Sequence, residues 1–175
     1  MTRRFDRTGD ARHLVQTYCA LRHLPPGRTP VSLCTYEGLF DTIVALEMGY
    51  DSIDQMFRRM VFNVIVRNQD DHTKNISFLM NQNGQWRLSP AYDMGYAYNP
   101  SGTWTKTHQM SINGKFDDLT RKDLLECASV NNIKDAAEII DQICEAASGW
   151  PALAKDCGVP QSMIDAIMPH LLLKL

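Results

Sequence analysis

A polar stretch at residues 68–75 carries side chains of the kinds that handle protons, metal ions and phosphate. It reads Asn-Gln-Asp-Asp-His-Thr-Lys-Asn, and a further acid, Asp93, follows it. Phosphoryl transfer needs a carboxylate near the acceptor hydroxyl and oxygen ligands for Mg²⁺ near the phosphates. Asp70 precedes Asn75 by five positions in one loop, so the first could face an acceptor while the second faces a metal. A hairpin between the loop and Asp93 could bring that carboxylate to the same metal.

The order and spacing of these residues match a protein-kinase catalytic loop followed by its metal-binding aspartate. The short pattern alone has limited specificity, because Asp, Asn and Thr also cluster in turns for conformational reasons. A solvent-exposed turn therefore stays an alternative for residues 68–75 taken by themselves.

The residues around the loop make the match more specific. Segments 57–66, 76–79 and 88–93 flank it, Arg4 to Arg7 lie near the start of the chain, and 110–115 follow later. Together these segments resemble the carboxy-terminal lobe of the HipA family, the serine/threonine kinase toxins of bacterial toxin–antitoxin modules. The resemblance runs from about residue 4 to about residue 130, and more loosely to the end.

The resemblance implies catalytic roles for three side chains of the loop. Asp70 corresponds to the family's catalytic base, which takes the proton of the acceptor hydroxyl. His72 and Lys74 match the family's loop, where they would orient the acceptor or the phosphate.

The resemblance also implies ATP and Mg²⁺ as cofactors. Asn75 and Asp93 correspond to the family's metal ligands, and Phe5 corresponds to the hinge residue that contacts adenine. Arg3 stands where the family usually has Glu. The chain is expected to begin at the hinge, so that the amino-terminal lobe covering the nucleotide would have to come from elsewhere.

Two classes of function are compatible with these residues. The first is an ATP- and Mg²⁺-dependent protein serine/threonine kinase, of which this chain is the large lobe. For it, the resemblance implies a HipB-like antitoxin as a partner and a protein such as an aminoacyl-tRNA synthetase as a substrate. The second is a catalytically inactive remnant that keeps an antitoxin-binding surface, so enzymatic activity of this chain alone is left open.

A third idea is a metal-dependent hydrolase that uses Asp70, Asp71 and His72. Three adjacent residues in one loop rarely converge on a single metal, and no distant His cluster completes such a site. This alternative is therefore the weakest of the three.

The composition predicts a single globular domain over residues 1–175 in a reducing compartment. The chain is 44% hydrophobic and 22% charged, as in ordinary globular proteins. A net charge of −2 gives no reason to expect direct binding to nucleic acid or to a membrane surface. The five cysteines include no C-x-x-C pair, which argues against a zinc site or disulfide framework and favours the cytoplasm.

The elements expected to position the site are mainly helical, with one small β-hairpin. The resemblance implies a protein-kinase-like carboxy-terminal lobe of the HipA type (α+β). Apolar spacing predicts helices over residues 10–23, 35–48, 51–66, 120–129, 132–149 and 161–172, the last bent or broken at Pro169. Residues 150–157 form a short helix or a turn. The predicted N-caps are Thr35, Asp51 or Ser52, Thr120 with Asp123 completing a capping box, and Asn132, and Gly49 is the predicted stop of the second helix.

The remaining segments are predicted as follows. Residues 76–80 and 85–88 form the hairpin around an Asn-Gly turn, and the helix over 51–66 is central and supports the loop. Residues 24–33 form a proline-containing loop. Residues 96–106 form either an activation segment or a flexible surface loop, with possible phosphate acceptors at Ser101, Thr103, Thr105 and Thr107. Structural or solvated roles are expected for Arg58, Arg59, His13, His23, His108 and His170.

Overall fold

The computed structural model describes residues 4–24 and 33–175, and most of its regular structure is helical. Predictions that concern Arg3 and most of the loop at 24–33 lie outside these residues. The helices are α1 (Tyr18–Leu21), α2 (Tyr36–Ala45), α3 (Tyr50–Ile65), α4 (Arg121–Val130), α5 (Ala136–Ser148), α6 (Trp150–Asp156) and α7 (Gln161–Ile167). The strands are β1 (Arg7–Thr8), β2 (Ala11–Arg12), β3 (Leu14–Thr17), β4 (Ser77–Met80) and β5 (Trp86–Leu88). No helix in the described ranges has the length and apolar character needed to cross a membrane.

The strands form two small antiparallel sheets. β1 pairs with β2, and the second sheet has the order β3-β4-β5. The predicted hairpin is confirmed as β4 and β5, with Gly84 in the left-handed conformation (φ 78°) in the turn. The sheets and the predominance of helix confirm the predicted mixture of mainly α structure with a small β component.

The helix predicted over residues 10–23 is wrong. Leu14 to Thr17 form β3, which pairs along its length with β4, and only Tyr18 to Leu21 are helical. The β-branched residues Val15 and Thr17 suit a strand, and hydrogen bonds to β4 satisfy its backbone. Thr17 then begins α1 as its N-cap, accepting from the Ala20 amide.

Helix α3 is central, as predicted. Its inner face carries fully buried side chains of Met56, Phe57, Met60, Val61, Val64 and Ile65. It packs against α2 on one side and α5 on the other. Its N-cap is Gly49 (φ 77°) rather than Asp51 or Ser52, so Gly49 opens this helix instead of stopping α2, which ends at Ala45.

Other helix ends follow the capping rules in part. Thr35 accepts a hydrogen bond from the Gly38 amide at 2.9 Å and begins α2, as predicted. The capping box of Thr120 and Asp123 at the start of α4 is confirmed. Asn132 is not an N-cap: it lies in a turn, and α5 begins after Asp135, which has a left-handed backbone (φ 54°).

The last predicted helix, over residues 161–172, is broken in the way its proline suggests. Helix α7 ends at Ile167, and Met168 to His170 form a single 3₁₀ turn that contains Pro169. Proline cannot donate the hydrogen bond that would continue the α-helix.

A tight turn at residues 112–115 joins the first and second halves of the helical core. Asn113 (φ 50°) and Gly114 (φ 75°) both have left-handed backbones, and Ile112 pairs with Lys115 across them. The Asn113 amide donates to Glu37 Oε1 on α2 at 2.7 Å, while Lys115 Nζ lies 2.6 Å from the Asp123 carboxylate on α4. The turn therefore fixes α4 relative to α2.

Candidate active site

The loop at 68–75 leaves the end of the central helix and enters the central strand. Arg67 (φ 55°) turns the chain out of α3, and the Asn68 amide donates to the Asn63 carbonyl at 2.8 Å. Residues near the other end of the chain also support this helix end, because the Leu172 amide donates to the Ile65 carbonyl at 2.9 Å. Both ends of the loop are thus attached to elements of the core.

The structure places Asn75 and Asp93 on one small cavity. Both residues line a space of about 20 Å³, together with Asn68 and Asp71 from the loop and Arg59 from α3. A space of this size holds about one water molecule or one ion. The hairpin β4–β5 therefore delivers Asp93 to the loop, as the sequence predicted that it could.

Asp70 is tied to Asn75 through its backbone. Asn75 Nδ2 donates to the Asp70 carbonyl at 3.0 Å, and the Asn75 amide donates to the His72 carbonyl at 2.8 Å. Asp70, His72 and Asn75 are half-buried, whereas Lys74 is exposed. Since Nδ2 of Asn75 is engaged, its Oδ1 is the atom left to face a cation.

Phe5 lies beside the residue that precedes Asp93. Its ring stacks on Tyr92 with 5.9 Å between the ring centroids. The Tyr92 hydroxyl donates to the Lys74 carbonyl at 2.8 Å, and burial raises the pKa of that hydroxyl. The predicted adenine-contacting residue and the end of the loop are therefore joined through one tyrosine.

The donor set fits Mg²⁺ better than a soft metal. The Asp93 carboxylate and the Asn75 amide oxygen are hard oxygen donors, and Mg²⁺ takes one or two carboxylates and fills its remaining positions with water and phosphate. In residues 4–24 and 33–175, no group of three or more His, Cys, Asp or Glu side chains is placed to hold a metal. His72 Nδ1 is buried without a hydrogen-bond partner in the same ranges, which leaves one polar atom for a bound group to satisfy.

A buried polar network that the sequence motifs did not predict lies behind the loop, with Asp71 at its centre. Asp71 Oδ2 accepts from the Tyr36 hydroxyl at 2.9 Å and lies 3.0 Å from His108 Nδ1. Its Oδ1 accepts from the Gln109 amide at 2.7 Å. Because both oxygens of this carboxylate already have hydrogen-bond partners, Asp71 is not available to join Asp70 and His72 around a catalytic metal, which argues against the hydrolase alternative.

The network continues from Tyr36 towards Asp93. Asn63 Nδ2 donates to the Tyr36 hydroxyl at 3.0 Å, and Asn68 Nδ2 donates to Asn63 Oδ1 at 2.9 Å. Asn68 Nδ2 also makes a long contact of 3.5 Å with the Asp93 carbonyl. Burial, followed by the neighbouring Asp71 charge, raises the pKa of Tyr36 well above its usual value, so this hydroxyl keeps its proton.

Gln69 attaches the loop to the segment expected to be an activation segment or a surface loop. The side chain is completely buried, and its amide nitrogen, when it faces the backbone, donates to the Thr105 carbonyl at 2.8 Å and the Lys106 carbonyl at 3.1 Å. With Asp71 holding the Gln109 amide, the backbone of residues 105–109 is docked on the loop. Residues 96–107 contain no helix or strand.

The remaining predicted residues have structural surroundings. Arg58 pairs with Asp54 at 2.7 Å, and Arg59 donates to the Ser89 carbonyl at 2.8 Å, which supports the approach to Asp93. His108 is buried in the network, as expected of a structural histidine. His170 accepts or donates a 2.7 Å hydrogen bond to Tyr96.

Comparisons with known proteins agree with this fold. The protein-family model described as HipA-like C-terminal domain matches residues 1–150 of the sequence. Among solved structures, the chain is similar to one described as the Shewanella oneidensis MR-1 toxin antitoxin system HipA, HipB and its operator DNA complex. The TM-score is 0.63 at 21% identity, over 87% of this chain and 40% of that chain. No curated protein matches. Since the family model covers most of the sequence, the chain belongs to the family of HipA-like C-terminal domains.

Proposed function

We propose that this chain is the large lobe of an ATP- and Mg²⁺-dependent protein serine/threonine kinase of the HipA toxin type, with a protein-kinase-like fold. The observation that carries the proposal is the meeting of Asn75 and Asp93 on one ion-sized cavity, with the Asp70 backbone hydrogen-bonded to Asn75. Phosphoryl transfer needs an amide ligand and a carboxylate ligand for Mg²⁺ with a base nearby, so the meeting of Asn75 and Asp93 supports the proposal.

Each side chain then has a defined task. Asp70 accepts the proton of the acceptor hydroxyl, while Asn75 Oδ1 and the Asp93 carboxylate would hold Mg²⁺. When bound, Mg²⁺ with ATP supplies the phosphoryl group and neutralises charge on the phosphates. His72 and Lys74 orient the acceptor or the phosphate, and exposure leaves the Lys74 ammonium accessible for this. Phe5, stacked on Tyr92, contacts adenine.

The rest of the nucleotide pocket has to come from other parts of the protein or from another chain. This chain spans about 40% of the length of the HipA-system chain to which it is similar. That structure also contains HipB and operator DNA, so a HipB-like antitoxin is the partner we propose. A protein such as an aminoacyl-tRNA synthetase is the proposed substrate and the cytoplasm the proposed location. Because the net charge is −2, we expect no direct binding of this chain to nucleic acid, and any contact with DNA would be made by the partner.

The alternative is a module that binds an antitoxin without phosphorylating anything. The match to only 40% of the HipA-system chain favours this alternative for the isolated chain, because one lobe supplies only part of the surface that binds a nucleotide. The two functions differ in whether Asp93 binds Mg²⁺ together with a nucleotide.

Calorimetric titration of the chain with ATP, with and without Mg²⁺, separates them. We expect Mg²⁺-dependent binding that Asp93→Asn abolishes. Asp118→Asn is the matched control, because Asp118 is also exposed and also has a left-handed backbone (φ 52°). Equal binding by wild type and Asp93→Asn would contradict the assignment of Asp93, and absence of binding by the wild type would favour the non-catalytic module.

A further inference from the structure

Asp71 lies next to the proposed base and lines the cavity of Asn75 and Asp93, but its carboxylate is held by the buried network. Its exposed fraction is 2%, and the three groups that contact it come from α2, from His108 and from the Gln109 backbone. The proposed function gives Asp71 no part in proton or phosphate handling. A buried carboxylate without a catalytic task is costly unless its hydrogen bonds are satisfied, and here they are.

The carboxylate has a physical property that its neighbours in the network lack. A carboxylate only accepts hydrogen bonds, whereas hydroxyl and amide groups can both donate and accept. The Tyr36 hydroxyl has one proton, which it donates to the Asp71 carboxylate in a hydrogen bond of 2.9 Å. Tyr36 must then accept from Asn63 Nδ2, at 3.0 Å.

The donor–acceptor direction that Asp71 sets at Tyr36 determines the direction of the next hydrogen bonds in the network. With Nδ2 of Asn63 directed at Tyr36, its Oδ1 is left to accept from Asn68 Nδ2, at 2.9 Å. That same Nδ2 group therefore faces the Asp93 carbonyl, at 3.5 Å. The four side chains lie in a buried environment, where such hydrogen bonds reinforce one another.

We propose that Asp71 is a positioning residue: its charge orients the Tyr36–Asn63–Asn68 hydrogen-bond chain and thereby holds the backbone of the cation ligand Asp93. The inference rests on the proposed function for the role of Asp93. Asp71 also accepts a hydrogen bond from the Gln109 amide, so the same carboxylate holds the backbone at that residue.

Two substitutions disturb the Tyr36–Asn63–Asn68 hydrogen-bond chain in different ways. Asp71→Asn keeps the shape but can donate to Tyr36, which permits the reversed orientation, in which Asn68 presents its oxygen to the Asp93 carbonyl. Tyr36→Phe removes one hydroxyl and interrupts the chain. Tyr18→Phe is the control for the loss of a buried tyrosine hydroxyl, because Tyr18 is equally buried but does not belong to the network.

The direct measurement is the carbonyl ¹³C chemical shift of Asp93 in the full chain. We expect it to move in Asp71→Asn and in Tyr36→Phe and to stay in place in Tyr18→Phe. An unchanged shift in both network variants would overturn the coupling. Should Asp71→Asn fail to fold, Tyr36→Phe decides alone, since it removes only one hydroxyl group.

The functional measurement is the Kd for ATP in the presence of Mg²⁺, taken well below the unfolding temperature. We expect both network variants to bind about 3- to 30-fold more weakly, as for couplings of this kind. Ile140→Val is the control for lost stability, because Ile140 is a core residue of α5, and its Kd should match wild type. A moved Asp93 shift with wild-type affinity would overturn the positioning role. Absence of Mg²⁺-dependent binding in the wild type would instead contradict the proposed function, and the chemical shift would still decide whether the chain of hydrogen bonds exists.

Discussion

Asp93 combines an exposed carboxylate with a left-handed backbone (φ 53°). This conformation costs free energy for every residue with a Cβ. The cost is smallest for Asp and Asn, since their short polar side chains form local hydrogen bonds. The anchored neighbours on either side, Tyr92 through its hydroxyl and Ala97 through its amide to the Arg67 carbonyl, hold the residue there. The backbone thus presents the carboxylate at the edge of the cavity.

Three substitutions at Asp93 separate its backbone from its charge. We expect Asp93→Ala to lower the free energy of unfolding by about 1 kcal/mol, because alanine lacks the local hydrogen bonds with which aspartate offsets part of the cost of a left-handed backbone. Asp93→Gly and Asp93→Asn should remain near wild type. Urea unfolding measures the difference, and an alanine variant as stable as the glycine variant would show that the left-handed conformation is not maintained in solution.

The sequence motif predicted Asn75 and Asp93, which line the cavity, but not the buried residues that hold the loop in place. Asp70, Asn75 and Asp93 follow a spacing within one stretch of chain, which can be recognised locally. Asp71 acquires its role from Tyr36 and Gln109, which are distant in sequence. A signal was nevertheless present in Asn63, a polar residue on the otherwise apolar inner face of a helix, because buried amides require partners.

At the scale of single elements, the start of α4 depends on ionised Asp123. Burial would raise the pKa of this carboxyl, but hydrogen bonds from Lys115 and from the Thr120 hydroxyl and amide outweigh it and lower the pKa to about 2. Since the folded-state pKa lies below the unfolded value of 3.8, the stabilisation is complete above that value. It is lost as the pH falls from about 4 towards 2.

Asp123→Asn should therefore lose about 1 to 2 kcal/mol at neutral pH, allowing for the exposed Lys115 partner. The difference from wild type should shrink between about pH 4 and pH 2. Unfolding free energies measured across this range test it, with Asp118→Asn as the control at an exposed acid. A difference that stayed constant down to pH 2 would mean that the Asp123 carboxylate is not the source of the stabilisation.

Helix α3 allows a direct test of whether its inner face lies in the core. Val61 is completely buried on its inner face, and Gln55 is exposed on the same helix. Val61→Asp buries an unpaired charge and should cost more than about 4 kcal/mol, enough to abolish cooperative unfolding. Gln55→Asp should change stability by no more than about 0.5 kcal/mol. Circular dichroism melting curves distinguish the two, and a cooperative Val61→Asp variant would show that this face is not in the core.

Two element predictions that rest on local interactions are confirmed, whereas the N-caps predicted at Asp51 or Ser52 and at Asn132 are wrong. The capping box at Thr120 and the turn at Gly84 are short-range devices, and both are found. The apolar spacing of residues 14–17 is also compatible with a helix, which is why the sequence predicts one there. Their actual partner is β4, far along the chain, and tertiary pairing outweighs weak local preference.

At the scale of the whole molecule, the candidate site is an assembly of distant segments. Phe5 comes from near the start, Tyr36 from α2, the loop from the end of α3, and the Gln109 amide from the second half of the chain. The family match extends over residues 1–150, which includes all of these contributors. The loop can therefore be recognised from its sequence motif, whereas the distant residues that support it are brought together only in the folded structure.

The hydrogen bond from the Leu172 amide to the Ile65 carbonyl has a consequence for the order of folding. It closes a very large loop in the chain, and the entropy of such closure is lost before the contact contributes stability. Helix α3 can form early from neighbouring residues, but its last turn receives this support only after α5 to α7 have packed. We therefore expect the polar loop that follows α3 to become ordered late, so that the candidate site matures after most of the core is in place.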